Sequence, residues 1–187
     1  MKKFAKKYIN KLISTLKETD VESIVAIVEA LDNVKGRVYI IGNGGSAATA
    51  SHMVNDLGVG LKRREIKSLD VESLSDNTPV CSALANDIGY DNIFYMQLKD
   101  KITKDDILIA ISCSGNSKNI IKAVKYAKKQ GTTIIGLTGF DGGKLMKKSD
   151  INFHVPSASN AYGLVEDMHM ILDHIIYSYY IETSKNK

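Results

Sequence analysis

His52 and Asp56 stand four residues apart in the run S-H-M-V-N-D, a spacing that puts both side chains on one face of a helix. A second polar group interrupts an apolar C-terminal segment. There Glu166, Met170 and His174 recur at four-residue steps, while His169 and Asp173 point in neighbouring directions. A helix built from Met168, Ile171, Leu172, Ile175 and Ile176 does not need that many polar groups for packing. Together His52, Asp56, Glu166 and His174 offer two imidazoles and two carboxylates. That set suits a zinc-like divalent ion, and one carboxylate could exchange with substrate and serve as a base. Taken alone, a His and an Asp at this spacing are more often a solvated or core-satisfied pair than a metal site.

Two turns carry anion-binding chemistry. Val38 to Ile41 reads as a strand covered on both faces, and Gly42, Gly44 and Gly45 after it allow a tight turn and close approach to a ligand. Ser46 can cap the following helix, whose N-terminus offers N–H groups and a positive dipole end. The strand Ile107 to Ile111 runs into Ser112-Cys113-Ser114-Gly115-Asn116-Ser117 and then a helix from Lys118 to Gln130. Hydroxyls around a helix start suit a phosphate monoester, so Ser112, Ser114 and Ser117 are read as phosphate donors rather than a Ser-rich cap. Neither turn has the dinucleotide pattern G-x-G-x-x-G or the P-loop lysine, which disfavours a dehydrogenase.

The elements that must position these groups alternate. Amphipathic helices occupy the first 36 residues, the first with Phe4, Tyr8, Leu12 and Leu16 on one stripe and the second capped by Asp20. The first has no obvious partner within the chain and is expected to pack on another subunit. Gly58-Val59-Gly60 is read as a break, Lys62-Arg63-Arg64 as a solvated loop, and Ile66 to Leu74 as a strand. A short capped helix through Ala83, Leu84 and Ala85 precedes a polar turn, Asn86 to Tyr90. Further strands at Thr132 to Leu137 and Ile151 to Val155 and a last helix from Tyr162 to Glu182 complete the pattern. Strands alternating with helices predict an α/β three-layer sandwich around a parallel sheet, with ligands at the strands' C-terminal ends.

With 187 residues and 44% hydrophobic content the chain fits one domain, residues 1–187, with 1–36 as a helical extension. A net charge of +4 without a concentrated basic block argues against nucleic acid as a partner. Cys81 and Cys113 lack C-x-x-C spacing, which fits a reducing cytoplasm. No apolar run approaches the ~20 residues of a membrane span, and the Lys-rich start lacks the apolar block of a secretion signal.

G-N-G-G-S, N-D-I-G-Y, S-C-S-G-N-S, L-T-G-F-D-G-G-K and E-D-M-H-M-I-L-D-H, in this order, resemble the phosphoheptose isomerase branch of the sugar-isomerase (SIS) domain family, from about Val38 to Ile176. The resemblance implies a flavodoxin-like topology, one zinc ion per site, and a homotetramer with sites between subunits. It also implies an aldose–ketose isomerisation of sedoheptulose 7-phosphate to D-glycero-D-manno-heptose 7-phosphate through an enediol. Carried over by motif, Gly44, Ser46, Ser112, Cys113, Ser114 and Ser117 surround phosphate, and Asn43 and Asp87 contact sugar or organise the loops. His52, Asp56, Glu166 and His174 surround the metal, and Glu166, His174 and Asp56 are the acid/base candidates.

This chain departs from the family in having Asp56 for a usual Glu, Glu166 for a usual Gln, and Gly60 where a substrate-binding arginine is expected. Lys62 or Arg63 could replace that arginine only by bending back toward the site. The paired carboxylate change moves the longer acid to the last helix and makes Glu166 the expected base. A related sugar phosphate is the corresponding expectation for the substrate. The competing reading is a non-catalytic SIS module that binds a sugar phosphate or a protein partner, as in regulation of replication initiation. A sugar-phosphate-sensing transcription regulator fits less well, because no helix-turn-helix segment precedes the SIS-like region.

Overall fold

The computed structural model describes residues 1–185, so the last two positions of the expected 1–187 span lie outside the described residues. Helices α1 (Lys2–Lys17) and α2 (Val21–Asn33) lead to strand β1 (Val38–Gly42). Helix α3 (Gly45–Met53) continues directly into a π-helical segment, Val54–Gly60. Then come β2 (Val71–Ser73), α4 (Thr78–Ile88), α5 (Ile93–Leu98), β3 (Ile107–Ser112), α6 (Lys118–Lys129) and β4 (Thr133–Phe140). Helix α7 (Gly143–Met146), β5 (Ile151–Pro156) and α8 (Tyr162–Ser184) complete the chain. The five strands pair in parallel in the order β2-β1-β3-β4-β5. That is the flavodoxin-like order, with its switch point between β1 and β3.

Alternation along each strand divides the core into two layers. Val38 and Ile40 of β1 and Ile107, Ile109 and Ile111 of β3 pack with Ile27 and Leu31 of α2, Met53 of α3 and Met168 and Leu172 of α8. Tyr39, Ile41, Leu108 and Ala110 point the other way, onto Phe94 and Leu98 of α5 and Val124 of α6. Strands buried on both faces explain why the sequence runs apolar without polar alternation. Among the described residues no helix is long and apolar enough to cross a membrane.

Several boundaries differ from the sequence reading. Ser46 lies inside α3, and the N-cap is Gly44, with φ +54 and no side-chain cap bond. Gly58-Val59-Gly60 does not break the helix but forms its π-helical end, where a Cβ on Gly60 would stand 2.7 Å from the Tyr177 hydroxyl. The expected strand Ile66–Leu74 pairs only over Val71–Ser73. Helix α4 absorbs Asn86 and Asp87 and stops at Gly89, where φ is +88. Strand β4 runs on to Phe140 because Gly139 leaves room for Val165 of α8, whose side chain an added Cβ would meet at 2.5 Å.

Helix α1 buries no residue. Phe4, Ile9, Ile13 and Leu16 stay exposed, and the Tyr8 hydroxyl reaches across to donate to Asp167 Oδ2 at 2.5 Å.

A buried polar contact ties α8 to β4. His169, with no exposed surface, has Nε2 3.3 Å from the Thr138 carbonyl oxygen, and the Thr138 hydroxyl lies 2.9 Å from His154 Nδ1. Burial pushes the His169 pKa down to about 4, against the pull of the Thr138 carbonyl. The ring is therefore neutral, with Nε2–H donating to Thr138 and Nδ1 left without a partner. As pH falls from about 6.5 to 4 the unfolded chain binds a proton here and the folded chain does not, so stability falls with pH, by about 3 kcal/mol at 1.36 kcal/mol per unit. Urea unfolding of wild type and His169→Asn at pH 7 and pH 4 checks this. The wild type is expected to lose about 3 kcal/mol more than the variant, and equal losses would mean that His169 titrates normally when folded.

Candidate active site

The turn after β1 and the turn after β3 open at the same edge of the sheet. At the first, a Cβ on Gly42 would stand 2.4 Å from the Ser46 carbonyl oxygen, so glycine lets α3 start directly above the strand. Gly44 faces open space. The N–H groups of Ser46, Ala47 and Ala48 turn inward to the carbonyls of Asn43 and Gly44 at 3.0–3.2 Å. The hydroxyl turn is thus the better cradle for an anion. Ser112 and Ser117 hydroxyls lie 3.3 Å apart, and Ser114 Oγ accepts from the Asn116 N–H at 3.2 Å. Gly115, with φ +60, packs where a Cβ would stand 2.0 Å from the Gly142 carbonyl oxygen, which fixes this turn against the one after β4.

The two turns are clamped together by amides. Asn43 and Asn119 exchange hydrogen bonds, Nδ2 to Oδ1, at 3.0 and 2.8 Å, and the Tyr90 hydroxyl donates to Asn43 Oδ1 at 2.8 Å. Asp87 is exposed on the last turn of α4, where its carboxylate accepts from Asn86 Nδ2 at 2.9 Å. Tyr90, rather than Asp87, carries the N-D-I-G-Y segment to the glycine turn.

Helix α8 lies along α3 in the same direction. At its first turns, the Glu166 carboxylate rests on Gly45, so that an added Cβ would stand 2.4–2.5 Å from its carboxylate atoms. Its charge also reaches Cys113. Burial, and then Glu166, push that thiol up to about 11, while a hydrogen bond with Ser46 acts the other way.

Two turns further along, about 12 Å at 1.5 Å per residue, the same pair of helices assembles the metal-type donors. His52 Nε2 lies 3.1 Å from His174 Nε2, 3.5 Å from Asp56 Oδ2 and 3.9 Å from Asp173 Oδ2. One donor atom from each of these four residues falls within 4.8 Å of all the others. Two donors each ~2.0–2.1 Å from one tetrahedral ion stand about 3.3–3.4 Å apart, so the observed spacings suit a shared cation. Asp173 has no exposed surface, and among the described residues neither of its carboxylate oxygens has a hydrogen-bond partner. Burial, and secondarily Asp56, push its pKa up to about 7. A buried carboxylate left this way is expensive unless a positive charge meets it, and the donor set therefore fits a divalent cation.

The structure brings together His52, Asp56 and His174 as the sequence reading has them, but Glu166 is not in that group, and Asp173 is. The π-helical segment carries Asp56, and its wider turn is of the kind that recurs at functional sites. Lys62 and Arg63 do not bend back to replace an arginine at position 60. They line a cavity of about 600 Å³ with Ser68, Asp70 and Val71, at the N-terminal end of β2 and so at the opposite edge of the sheet. Tyr90 and Asn119 escaped sequence reasoning. Tyr90 had a signal in its place within N-D-I-G-Y, whereas Asn119 looked like any polar residue in a helix's first turn.

Residues 3–139 match the SIS domain family. The chain is 39% identical over 171 residues to the phosphoheptose isomerase of Helicobacter pylori strain Shi470, covering 91% of this chain and 87% of that one. It is 40% identical over 168 residues to the phosphoheptose isomerase of Aliarcobacter butzleri, covering 90% and 87%. Among solved structures, phosphoheptose isomerase from Neisseria gonorrhoeae superposes with a TM-score of 0.86 at 28% identity, covering 97% of this chain and 98% of that one. The phosphoheptose isomerase of Francisella tularensis gives 0.85 at 27%, covering 96% and 95%. With that sheet order, those two turns and those relatives, the chain belongs to the SIS-domain family, in its phosphoheptose isomerase branch.

Proposed function

We propose that this sugar-phosphate isomerase converts sedoheptulose 7-phosphate to D-glycero-D-manno-heptose 7-phosphate, with a divalent cation, zinc in the first instance, held by His52, Asp56 and His174. The observation that carries the reading is the Glu166 carboxylate seated on Gly45, beside the hydroxyl turn and two helical turns from the imidazole pair. Ser112, Ser114 and Ser117 hold the phosphate, and Asn43, fixed by Asn119 and Tyr90, meets the sugar hydroxyls. For Glu166 and His174 to act on one substrate, the reacting carbons must lie between Glu166 at Gly45 and the imidazole pair two helical turns on. Glu166 takes the proton from the carbon next to the carbonyl, His174 exchanges a proton between the oxygens of the enediol, and Glu166 returns its proton to the former carbonyl carbon. The cation, when bound, supplies positive charge against the oxyanion that develops.

The chain is read as one SIS domain with a helical extension, acting in the cytoplasm as a homotetramer with sites between subunits. The exposed apolar stripe of α1 supports the assembly, and two free cysteines fit a reducing compartment.

Phosphorus NMR of sedoheptulose 7-phosphate with purified protein, with zinc and again after chelation, tests the activity. Zinc-dependent conversion is expected; a folded protein inactive in both conditions would overturn the substrate or the cation. Within an active enzyme, Glu166→Gln is expected to abolish turnover while the substrate still binds. Gly45→Ala should do nearly the same without loss of stability. Alanine suits a helix about 0.5–1 kcal/mol better than glycine, and the group displaced is the flexible end of Glu166. A Gly45→Ala enzyme with wild-type kcat would show that the position of Glu166 is immaterial. Ser117→Ala is expected to raise KM roughly tenfold with little change in kcat, as loss of one hydrogen bond to a charged group implies. An unchanged KM would remove Ser117 from the phosphate site.

A further inference from the structure

We infer that Asp173 is the fourth donor to the divalent cation, completing the set His52, Asp56 and His174 in place of Glu166. This rests on the metal-dependent reading above and assigns a residue within it. Asp173 is fully buried, both of its oxygens lack a partner, and Oδ2 stands 3.9 Å from His52 Nε2 on the side where Asp56 and His174 converge. Among the described residues no lysine or arginine lies within ion-pair distance of it, and its neighbour His52 is shared with Asp56 and His174. A carboxylate retained under those conditions serves no packing purpose, since a neutral residue would fill the volume without the desolvation cost. With a cation at the centre of the four donors, that cost becomes coordination.

Glu166 is differently placed. Its carboxylate lies at Gly45, seven residues before His52 along α3, and it is held there by the absence of a Cβ. The two acids of α8 thereby separate: Asp173 holds the cation, and Glu166 stays uncoordinated.

The test compares zinc affinity in wild type, Asp173→Asn and Glu166→Gln, each stripped of metal and titrated at pH 8 against a chromophoric chelator. Thermal unfolding is followed with and without zinc. One zinc per chain is expected in the wild type, a loss of at least 10- to 100-fold in affinity for Asp173→Asn, and wild-type affinity for Glu166→Gln. Without metal, Asp173→Asn should unfold at the same temperature as wild type or higher, because a buried charge has gone, while its zinc-induced rise in Tm shrinks. A residue with a merely structural role would instead lower the metal-free Tm and leave zinc affinity intact. Asp173→Ala provides the same comparison should the asparagine variant fail to fold, and the absorption of cobalt-loaded protein reports the change in donor set directly. Equal zinc affinity in wild type and the Asp173 variants, or an equal loss in Glu166→Gln, would overturn the assignment while leaving the metal reading standing. A wild type that binds no zinc would overturn both.

Discussion

The site depends on two helices lying in register, although their sequences stand more than a hundred residues apart. Helix α3 must run beside α8 so that Gly45 meets Glu166 at one end and His52 meets His174 at the other. Helix α3, with the sequence G-S-A-A-T-A-S-H-M, is short and built almost wholly of small residues. Such a segment has little apolar surface of its own to bury and would be marginal in isolation, so tertiary contacts set its position. Small side chains are also what allow the second helix to approach. Ala50 and Met53 share one core layer with Val165, Met168 and Leu172, and that layer rests on β1, β3 and β4. The sheet thus fixes both helices, and the helices fix the chemistry.

Helix α8 concentrates the polar cost of this arrangement. Among the described residues four buried side-chain atoms have no hydrogen-bond partner, and of these Asp173 supplies two and His169 one. Helices buried for packing alone do not accumulate such atoms, because each carries the full desolvation penalty of an unmade hydrogen bond. The His169 ring accepts part of that penalty and fastens α8 to Thr138. Asp173 has no such return within the described residues, and this asymmetry separates a positioning contact from a ligand-directed one.

Strands and turns were legible because their physics is local. Val38 to Ile41 and Ile107 to Ile111 are apolar and β-branched, and glycine at 42, 44 and 45 has few uses besides a turn and close approach. Parallel pairing and right-handed crossovers then follow from alternation with helices, whereas the strand order rests on the family resemblance. What escaped depends on partners distant in sequence. Gly58 and Gly60 look like helix breakers until Val71 and Tyr177 are seen to occupy the space that a side chain would need. Likewise Gly139 belongs to a strand only because Val165 lies over it. Glu166 and His174 share a helical face by spacing, yet the face that meets His52 is decided by the packing of α8 on β4. That packing turns Asp173 inward.

On the proposed assignment, the division of acids also resolves a conflict of charge. Asp56 lies close enough to disfavour ionisation of Asp173, and a divalent cation between them removes the repulsion. A carboxylate committed to such a cation is a poor proton acceptor, because its lone pairs and charge are already engaged. An isomerase needs its base free of that hold but near the carbon it deprotonates. Placing the longer acid on α8 against Gly45 keeps it out of the cation's donor set. The lengths of the two acids match these places: the shorter carboxylate, Asp56, suits a donor carried close to the imidazoles by the π-turn. The longer one suits a base that must extend across Gly45 to the sugar.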